Sequence, residues 1–319
     1  MICMHLNNTN AYFCLAAEEY LLKNSTDDIF MLWQSHDTVV LGKHQNALGE
    51  INYRFIREKN ITVARRISGG GTVFHDSGNV NFCYIKNVSS PSEISFKLFT
   101  KPVVEALSRL GIEATTSGRN DLLVNGLKIS GNAEHVYKNR VLHHGTLLYN
   151  SDLENLGQAI YVEPGKYESK AVESNRSKVA NISAFLKRKM TTAEFARFLL
   201  DVQLSNPGNS FYALGGEDTY EIDKLVKEKF GTWEWNFGYS PKYVFRNTFQ
   251  LENNKLKIEL KVNKGIVETV WLEGNLFDEE QTKGLVLELN GKQHRYEAVE
   301  KCLKNQLRTV PAGMTDSFF

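Results

Sequence analysis

The chain lacks most of the features that assign a function at a glance. It has four cysteines in 319 residues, Cys3, Cys14, Cys83 and Cys302, and none forms a CxxC pair. That spacing argues against a structural zinc site, and so sparse a set fits a reducing compartment better than a disulfide framework. An excess of one charge is missing too: 38 Lys and Arg face 37 Asp and Glu, for a formal net charge of +1. There is no case for nucleic-acid binding by bulk charge, and any recognition of an anion has to be local. No apolar run approaches the roughly 18–20 residues that span a bilayer, so no membrane partner is expected. The N-terminus "MICMHLNNTNAYFCLAAEEY" has no basic start followed by a long apolar run and reaches Glu18 and Glu19 early. No signal peptide is read, and the expected location is cytoplasmic. The P-loop pattern GxxxxGK(S/T) and the dinucleotide fingerprint GxGxxG are both absent. Internal repeats and low-complexity tracts are absent as well.

What is present is ordinary globular material, 42% hydrophobic and 24% charged. Asn10 to Asn24 carries Phe13, Ala16, Ala17, Tyr20 and Leu21 at helical spacing and predicts an amphipathic helix. "IFMLWQSH" and "DTVVLGKHQN" read as strands, "NYRFIREKN" as a short helix and "ITVARRIS" as a strand that runs into three glycines. "TVFHDSGNVNFCYIKN" resumes β structure. "PSEISFKLFTKPVVEALSRLG" reads as a helix with Gly111 at its C-terminal cap. Three strands are expected between Thr115 and Asn150, followed by a short helix at "DLENLGQAI". The polar stretch "VEPGKYESKAVESNRSKVANIS" lacks periodicity and reads as a long loop of the kind that often carries function. Helices at "TTAEFARFLLDVQLS" and "EIDKLVKEKFG" precede a break at "TWEWNFGYSPKY". Alternating strands with NN, NK and GN turns follow, then two helices. The expected fold class is α/β (α+β), with a mixed-sheet domain over 1–240 and a small α+β domain over 241–319.

"RRISGGGTVFHD" is the first chemical signal. Glycines let a backbone turn through positive φ and let a ligand approach its N–H groups, and successive free N–H groups form an anion-binding nest. Arg65 and Arg66 add charge beside it, and strand alternation sends the two to opposite faces. The plain alternative is a bulge or tight crossover that needs only small residues, with His75 and Asp76 as a turn-stabilising pair.

"NDLLVNGLKIS" is the second. Asn125-Gly126 between apolar runs predicts a two-residue type I′ hairpin. That turn sets Val124 against Leu127, Leu123 against Lys128, Leu122 against Ile129 and Asp121 against Ser130. Asp121, Leu123, Lys128 and Ser130 then share one face, and the apolar Leu122, Val124, Leu127 and Ile129 share the other. A carboxylate and an ammonium projected from rigid strands suit a phosphate and a Mg²⁺ ion, or they form an ordinary surface pair. In "LHHGTLLYN", His143 and His144 point to opposite faces if extended, so they do not both ligate one metal.

The blocks "RRISGGGTVFHDSGN", "SGRNDLLVNGLKISGNA", "HHGTLLYN", "SNRSKVANI" and "WEWNFG" occur in the order seen in the lipoate–protein ligase A family. The chain resembles that family over nearly its whole length. The resemblance implies a biotin/lipoate-ligase-like catalytic domain with a C-terminal accessory domain. It also implies two half-reactions: lipoate and ATP give lipoyl-AMP and pyrophosphate, and the lipoyl group then passes to a lysine of a carrier domain. The implied partners are the carrier domains of 2-oxoacid dehydrogenases and the glycine cleavage H protein, served by a monomer. By position, Arg66 and the backbone of Gly71, Thr72, Val73 and Phe74 are implied to hold ATP or the adenylate. Lys128 is implied to bridge the carboxylate and the α-phosphate, and Asp121 to bind Mg²⁺. Ser68, Gly70, His75 and His144 are implied to line the lipoyl pocket, and a loop through Lys166, Lys170, Arg176 and Lys178 to cover the adenylate. The chemistry suits these types, because joining two anions requires charge neutralisation and positioning. An apolar slot that buries about six methylenes at ~0.8 kcal/mol each contributes roughly 5 kcal/mol before entropy losses.

The nearest rival is an octanoyl or lipoyl transferase of the same superfamily, which works through a cysteine nucleophile. Asn120–Asn150 contains no cysteine, and Cys83 on a predicted strand is the only candidate. A biotin ligase fits less well, because RRISGGG stands where that family has a glycine-arginine-glycine loop. A non-catalytic carrier-binding protein on a ligase scaffold is the rival from another class.

Overall fold

The computed structural model describes every residue except 91–93, 119 and 176. The expected helix start at Pro91–Glu93, Arg119 of the hairpin block and the loop residue Arg176 therefore lie outside the described residues. Along the chain run β1 (Ile2–His5), α1 (Ala11–Asn24), β2 (Ile29–Trp33), β3 (Thr38–Leu41), α2 (Tyr53–Glu58), β4 (Thr62–Arg65), β5 (Val73–His75), β6 (Asn79–Asn87) and α3 (Phe96–Arg109). Next come β7 (Thr115–Ser117), β8 (Asp121–Val124), β9 (Leu127–Tyr137), β10 (Arg140–Leu148), α4 (Leu153–Ala159), β11 (Tyr167–Ser169), α5 (Thr192–Leu204), β12 (Ser210–Phe211) and α6 (Gly216–Leu225). The chain closes with β13 (Tyr243–Leu251), β14 (Asn254–Asn263), β15 (Ile266–Gly274), α7 (Glu279–Leu289) and α8 (Tyr296–Gln306).

These elements form two compact units, each drawn from three segments. The first comprises Met1–Lys43, Ile61–Gly157 and Ser174–Thr232, and the second His44–Asn60, Gln158–Glu173 and Trp233–Phe319. By compactness, two excursions of the N-terminal part thus belong with the C-terminal unit.

The first unit holds a mixed eight-stranded sheet in the order β12-β1-β2-β6-β10-β9-β8-β7. Its β1 pairs parallel with β12 and β2, and the remaining neighbours are antiparallel. One face packs on α3 and α5: Phe30, Leu32, Phe82, Tyr84, Leu122, Ile129 and Leu147 meet Phe99, Val103, Leu107, Phe195 and Leu199 in one cluster. Each such side chain contributes about 1.5–3 kcal/mol of burial. Asn10 caps α1 by accepting the Tyr12 N–H at 2.9 Å. A separate small sheet, β4-β3-β5, frames the glycine loop; β3 is parallel to β4 and antiparallel to β5. The adjacent strands β2 and β3 therefore belong to different sheets, and Thr115–Asn150 supplies four strands where three were expected.

In the second unit, β11-β13-β14-β15 form an antiparallel sheet. Leu256, Ile258, Leu260 and Val262 alternate inward along β14, and Leu285 and Leu289 of α7 and Val299 and Leu303 of α8 are buried as well. The expected long loop is corrected here, since Tyr167–Ser169 is a strand paired with β13. The expected break at "TWEWNFGYSPKY" is corrected too: Glu234–Gly238 is a π-helical turn.

Candidate active site

The glycine loop joins β4 to β5, and Arg66 organises it. The Arg66 Nη2 donates to Gly69 O and Gly71 O, both at 2.7 Å. Its Nη1 reaches Val40 O at 3.1 Å, and Nε–H is shared between Ser68 Oγ at 3.0 Å and Gly69 O at 3.1 Å. A guanidinium can only donate, so it gathers the loop carbonyls around itself and leaves the intervening N–H groups to other partners. Burial pushes Arg66 down to about 10, with the Glu18 carboxylate acting the other way, so it is a cation at neutral pH. Arg65 is buried as well and donates to Gly42 O and Lys43 O. Both arginines brace the backbone, an arrangement that alternation alone does not predict.

The three glycines are not equivalent. Gly70 has φ +87°, and a Cβ there would lie 2.9 Å from Arg66 Nη2. A Cβ on Gly71 would lie 3.2 Å from Ser174 Cα, whereas one on Gly69 would meet nothing within 4 Å. Ser174 also accepts the Thr72 N–H through its Oγ at 2.8 Å.

Asn125 and Gly126 have φ of 51° and 79°, as the type I′ turn requires. Val124 pairs with Leu127 and Leu123 with Lys128, as expected, but a β-bulge then shifts the register. Leu122 pairs with Ser130 and Asp121 with Gly131. This corrects the expected pairing and face assignment: Ser130 is buried beside Ile129 instead of sharing the Lys128 face. The Lys128–Asp121 pair survives the slip, with Nζ 2.9 Å from Oδ1. It does so because Gly131 is bare. A Cβ there would lie 3.1 Å from Lys128 Cε, so the lysine crosses the space that a side chain would fill. The angle of this contact falls outside hydrogen-bond geometry, and Asp121 Oδ1 has no aligned donor. The main chain of Lys128 is held on both sides, its N–H by Lys178 O and its carbonyl by Ala180 N, each at 2.9 Å.

The two histidines of β10 take separate roles. His143 is enclosed by Phe82, Phe96 and Phe99 and bonded to Glu134 at 2.9 Å and Asn132 at 3.2 Å. Burial lowers its pKa. His144 faces the glycine loop, with Nε2 2.7 Å from Ser68 Oγ and Nδ1 2.7 Å from Glu18 Oε2. The Trp33 indole N–H donates to the other Glu18 oxygen at 3.0 Å. His75 lies edge-on to Trp33, with ring centroids 5.3 Å apart. Burial, then the charge of Arg66, pushes His75 down to about 3, so it is neutral. Asp76 alone takes the turn-stabilising role. It accepts the Gly78 N–H at 2.9 Å and the Asp152 N–H at 2.6 Å.

The expected residues Arg66, Ser68, Gly70, Gly71, Thr72, Val73, Phe74, His75, Asp121, Lys128 and His144 all fall in the first unit. Contacts link the two halves. Ala133 of β9 is the side chain nearest to Gly70 after Arg66, and Ser174 on the loop side is followed by Lys178–Ala180 on the Lys128 side. The covering loop divides differently: Lys166 and Lys170 belong to the second unit and Lys178 to the first. Sequence reading passed over Glu18, Trp33, Gly131 and Ser174. For Glu18 a signal was available, because it sits at helical spacing from Ala11, Cys14, Leu15, Leu21 and Leu22 on an otherwise apolar face of α1, and a charge on a core face needs a partner.

Among the described residues no group of three or more His, Cys, Asp or Glu side chains could hold a metal. No helix among them is long and apolar enough to cross a membrane. The four cysteines are free and buried, and burial with the nearby Glu18 charge raises the Cys83 thiol well above its ordinary value.

The model of the lipoyl protein ligase A/B catalytic domain matches residues 10–203, and that of the bacterial lipoate protein ligase C-terminus matches residues 240–315. Lipoate–protein ligase 1 of Staphylococcus aureus is 39% identical over 299 residues, covering 93% of this chain and 91% of that protein. The structure of P. falciparum LipL1 in complex with lipoate superposes with a TM-score of 0.63 at 25% identity, over 99% of this chain and 97% of that one. A lipoate-protein ligase A bound with ATP has the same fold, with a TM-score of 0.63 at 23% identity over 75% of this chain and all of the other (100%). An ordered pair of domain matches and a 39% identical relative along nearly the full length lead to one assignment: the chain belongs to the lipoate–protein ligase family.

Proposed function

We propose that this protein uses ATP to activate lipoate as lipoyl-AMP, with release of pyrophosphate, and then transfers the lipoyl group to a lysine of a carrier domain. The observation that carries the reading is the placement of Lys128 over bare Gly131 in the same unit as a glycine loop whose carbonyls are tied inward. The loop from Gly71 to Phe74 takes phosphate or adenylate through backbone N–H groups. Lys128 neutralises the carboxylate and α-phosphate as they approach. Arg66 works by shaping the loop, because its Nε and Nη2 donors are already engaged by Ser68 Oγ and the Gly69 and Gly71 carbonyls. Ser68, Gly70, His75 and His144 are assigned to the lipoyl group. The LipL1 structure with lipoate and the ligase A structure with ATP support the two substrates.

Asp121 fits Mg²⁺ only as a single carboxylate with an unaligned Oδ1, which suits an ion held mainly by nucleotide phosphates. When bound, the ion would neutralise phosphate charge. The division into a catalytic part, 1–240, and an accessory part, 241–319, belongs to this proposal. So do the carrier partners (2-oxoacid dehydrogenase subunits and glycine cleavage H protein), the monomeric state and the cytoplasmic location. The cysteine-transferase alternative loses ground, since Cys83 is fully buried with a raised thiol.

Pyrophosphate release and carrier mass shift, measured with lipoate, octanoate and biotin, test the reading. Lipoate with ATP is expected to give both signals. Carrier acylation from an acyl thioester without ATP would instead establish the transferase.

A further inference from the structure

The buried chain Arg66–Ser68–His144–Glu18 has a direction that its two ends dictate. Arg66 has only donors, and an ionised carboxylate has only acceptors. Arg66 Nε–H donates to Ser68 Oγ at 3.0 Å. At the other end, His144 Nδ1 lies 2.7 Å from Glu18 Oε2, so Nδ1 carries the hydrogen. That leaves His144 Nε2 as the acceptor for the Ser68 hydroxyl hydrogen, across 2.7 Å. Trp33 N–H fills the remaining Glu18 oxygen. Glu18 is 1% exposed, Ser68 0% and Arg66 6%, so water cannot substitute for a missing partner. The same Arg66 guanidinium holds Gly69 O and Gly71 O.

We propose that Glu18 is a positioning residue of the glycine loop: it fixes the tautomer of His144 and the direction of the Ser68 hydroxyl, and through them the grip of Arg66 on the loop carbonyls. Glu18 stands on α1, outside every block that carries the family resemblance. The consequence for nucleotide binding rests on the proposed ligase function; the direction of the chain does not.

Glu18→Gln is the informative change because it keeps size and shape. Its amide oxygen still accepts from Trp33, but its NH₂ then faces His144 Nδ1. His144 must shift its hydrogen to Nε2, and Ser68 then receives two donors and loses the acceptor for its own hydrogen. Nitrogen-15 imidazole spectra report the tautomer directly, and calorimetric titration with ATP reports the loop. The wild type is expected to show His144 protonated on Nδ1 only. Glu18→Gln is expected to move the hydrogen to Nε2 and to raise the Kd for ATP on the order of tenfold, as loss of one charge-assisted hydrogen bond implies. Ser68→Ala cuts the chain on the other side, so it is expected to weaken ATP binding while His144 keeps its hydrogen on Nδ1.

Three results would overturn the proposal: a wild-type His144 bearing hydrogen on Nε2, an unchanged tautomer in Glu18→Gln, or a reversed tautomer with ATP affinity within twofold of wild type. The wild-type spectrum decides the direction even where Glu18→Gln fails to fold. If the wild type binds no ATP and releases no pyrophosphate with lipoate, the ligase reading fails, and the spectra still decide the direction of the chain.

Discussion

Arg66 and Lys128 are both cations of the first unit, and they are used in opposite ways. Arg66 is buried, and its donors are occupied by Val40 O, Ser68 Oγ, Gly69 O and Gly71 O. The Lys128 side chain is 21% exposed and meets one carboxylate at an angle poor for hydrogen bonding. One cation is spent on holding its own backbone, and the other keeps donors for something that arrives. Counting the engaged donors separates the two roles where residue type does not, since both motifs carry basic residues beside glycines.

The largest effect expected from breaking this contrast is at Lys128. Lys128→Ala should lower the rate of lipoyl-AMP formation by at least about 10²–10³-fold, measured as pyrophosphate release. Stability should move by less than about 1 kcal/mol, because a partly exposed ion pair contributes little. A variant that forms the adenylate at near wild-type rate would remove Lys128 from the chemistry. At Arg66 the balance should invert. Arg66→Met leaves Glu18 without its compensating charge, and the loop carbonyls of Gly69 and Gly71 and the Val40 carbonyl of β3 without this donor. A loss of about 3–5 kcal/mol is expected in urea unfolding followed by tryptophan fluorescence. Equal stability would mean that the loop holds its shape without the guanidinium.

The hairpin and the loop were not equally legible in the sequence. The turn at Asn125-Gly126 was readable because positive φ at two successive residues is a local demand that few residue types meet. The bulge after Lys128 was not, because it depends on where β9 continues. Asn132 bonds Asn120 and His143, which lie 12 and 11 residues away on other strands or loops. Nor was the partner of Glu18: His144 lies 126 residues away, and no local pattern joins them. Strand β11 was missed for the same reason, since Tyr167–Ser169 becomes a strand only against β13. The alternation of Leu256, Ile258, Leu260 and Val262 was plain, because a half-buried antiparallel strand writes its own period. The fold class was therefore readable, while the side-chain network around the glycine loop was not.

Acidity gives a smaller, graded test of how closely the first unit encloses its charges. His75 is held at about 3 by burial and by Arg66, well below the ordinary 6.5 of an imidazole. The unfolded chain therefore binds a proton that the folded chain refuses between these values. The resulting stability is fully present above about pH 6.5 and is lost as pH falls toward 3, with a slope of up to roughly 1.4 kcal/mol per pH unit. His294 in the second unit, held at about 4 by burial, adds the same sign over a narrower window. His75→Gln should flatten the pH dependence of unfolding for the first unit between pH 6 and 4 and leave the contribution of the second. An unchanged slope would show that His75 takes up its proton without opening the site.

The smallest effects should fall within the glycines themselves, and they sharpen what the arginine does. If Arg66 sets the loop by drawing carbonyls inward, the cost of a methyl group should follow its distance from the guanidinium, not its place in the triplet. Gly70→Ala puts a side chain at φ +87°, 2.9 Å from Arg66 Nη2, and should cost about 1–2 kcal/mol together with affinity for ATP. Gly69→Ala meets nothing within 4 Å and has an ordinary φ, so its stability should stay within about 0.5 kcal/mol of wild type and its ATP affinity within twofold. Should Gly69→Ala lose ATP binding at unchanged stability, the methyl would be meeting the nucleotide instead of the protein. Gly69 would then belong to the phosphate-contacting part of the loop, and the contact surface would begin two residues earlier than Gly71.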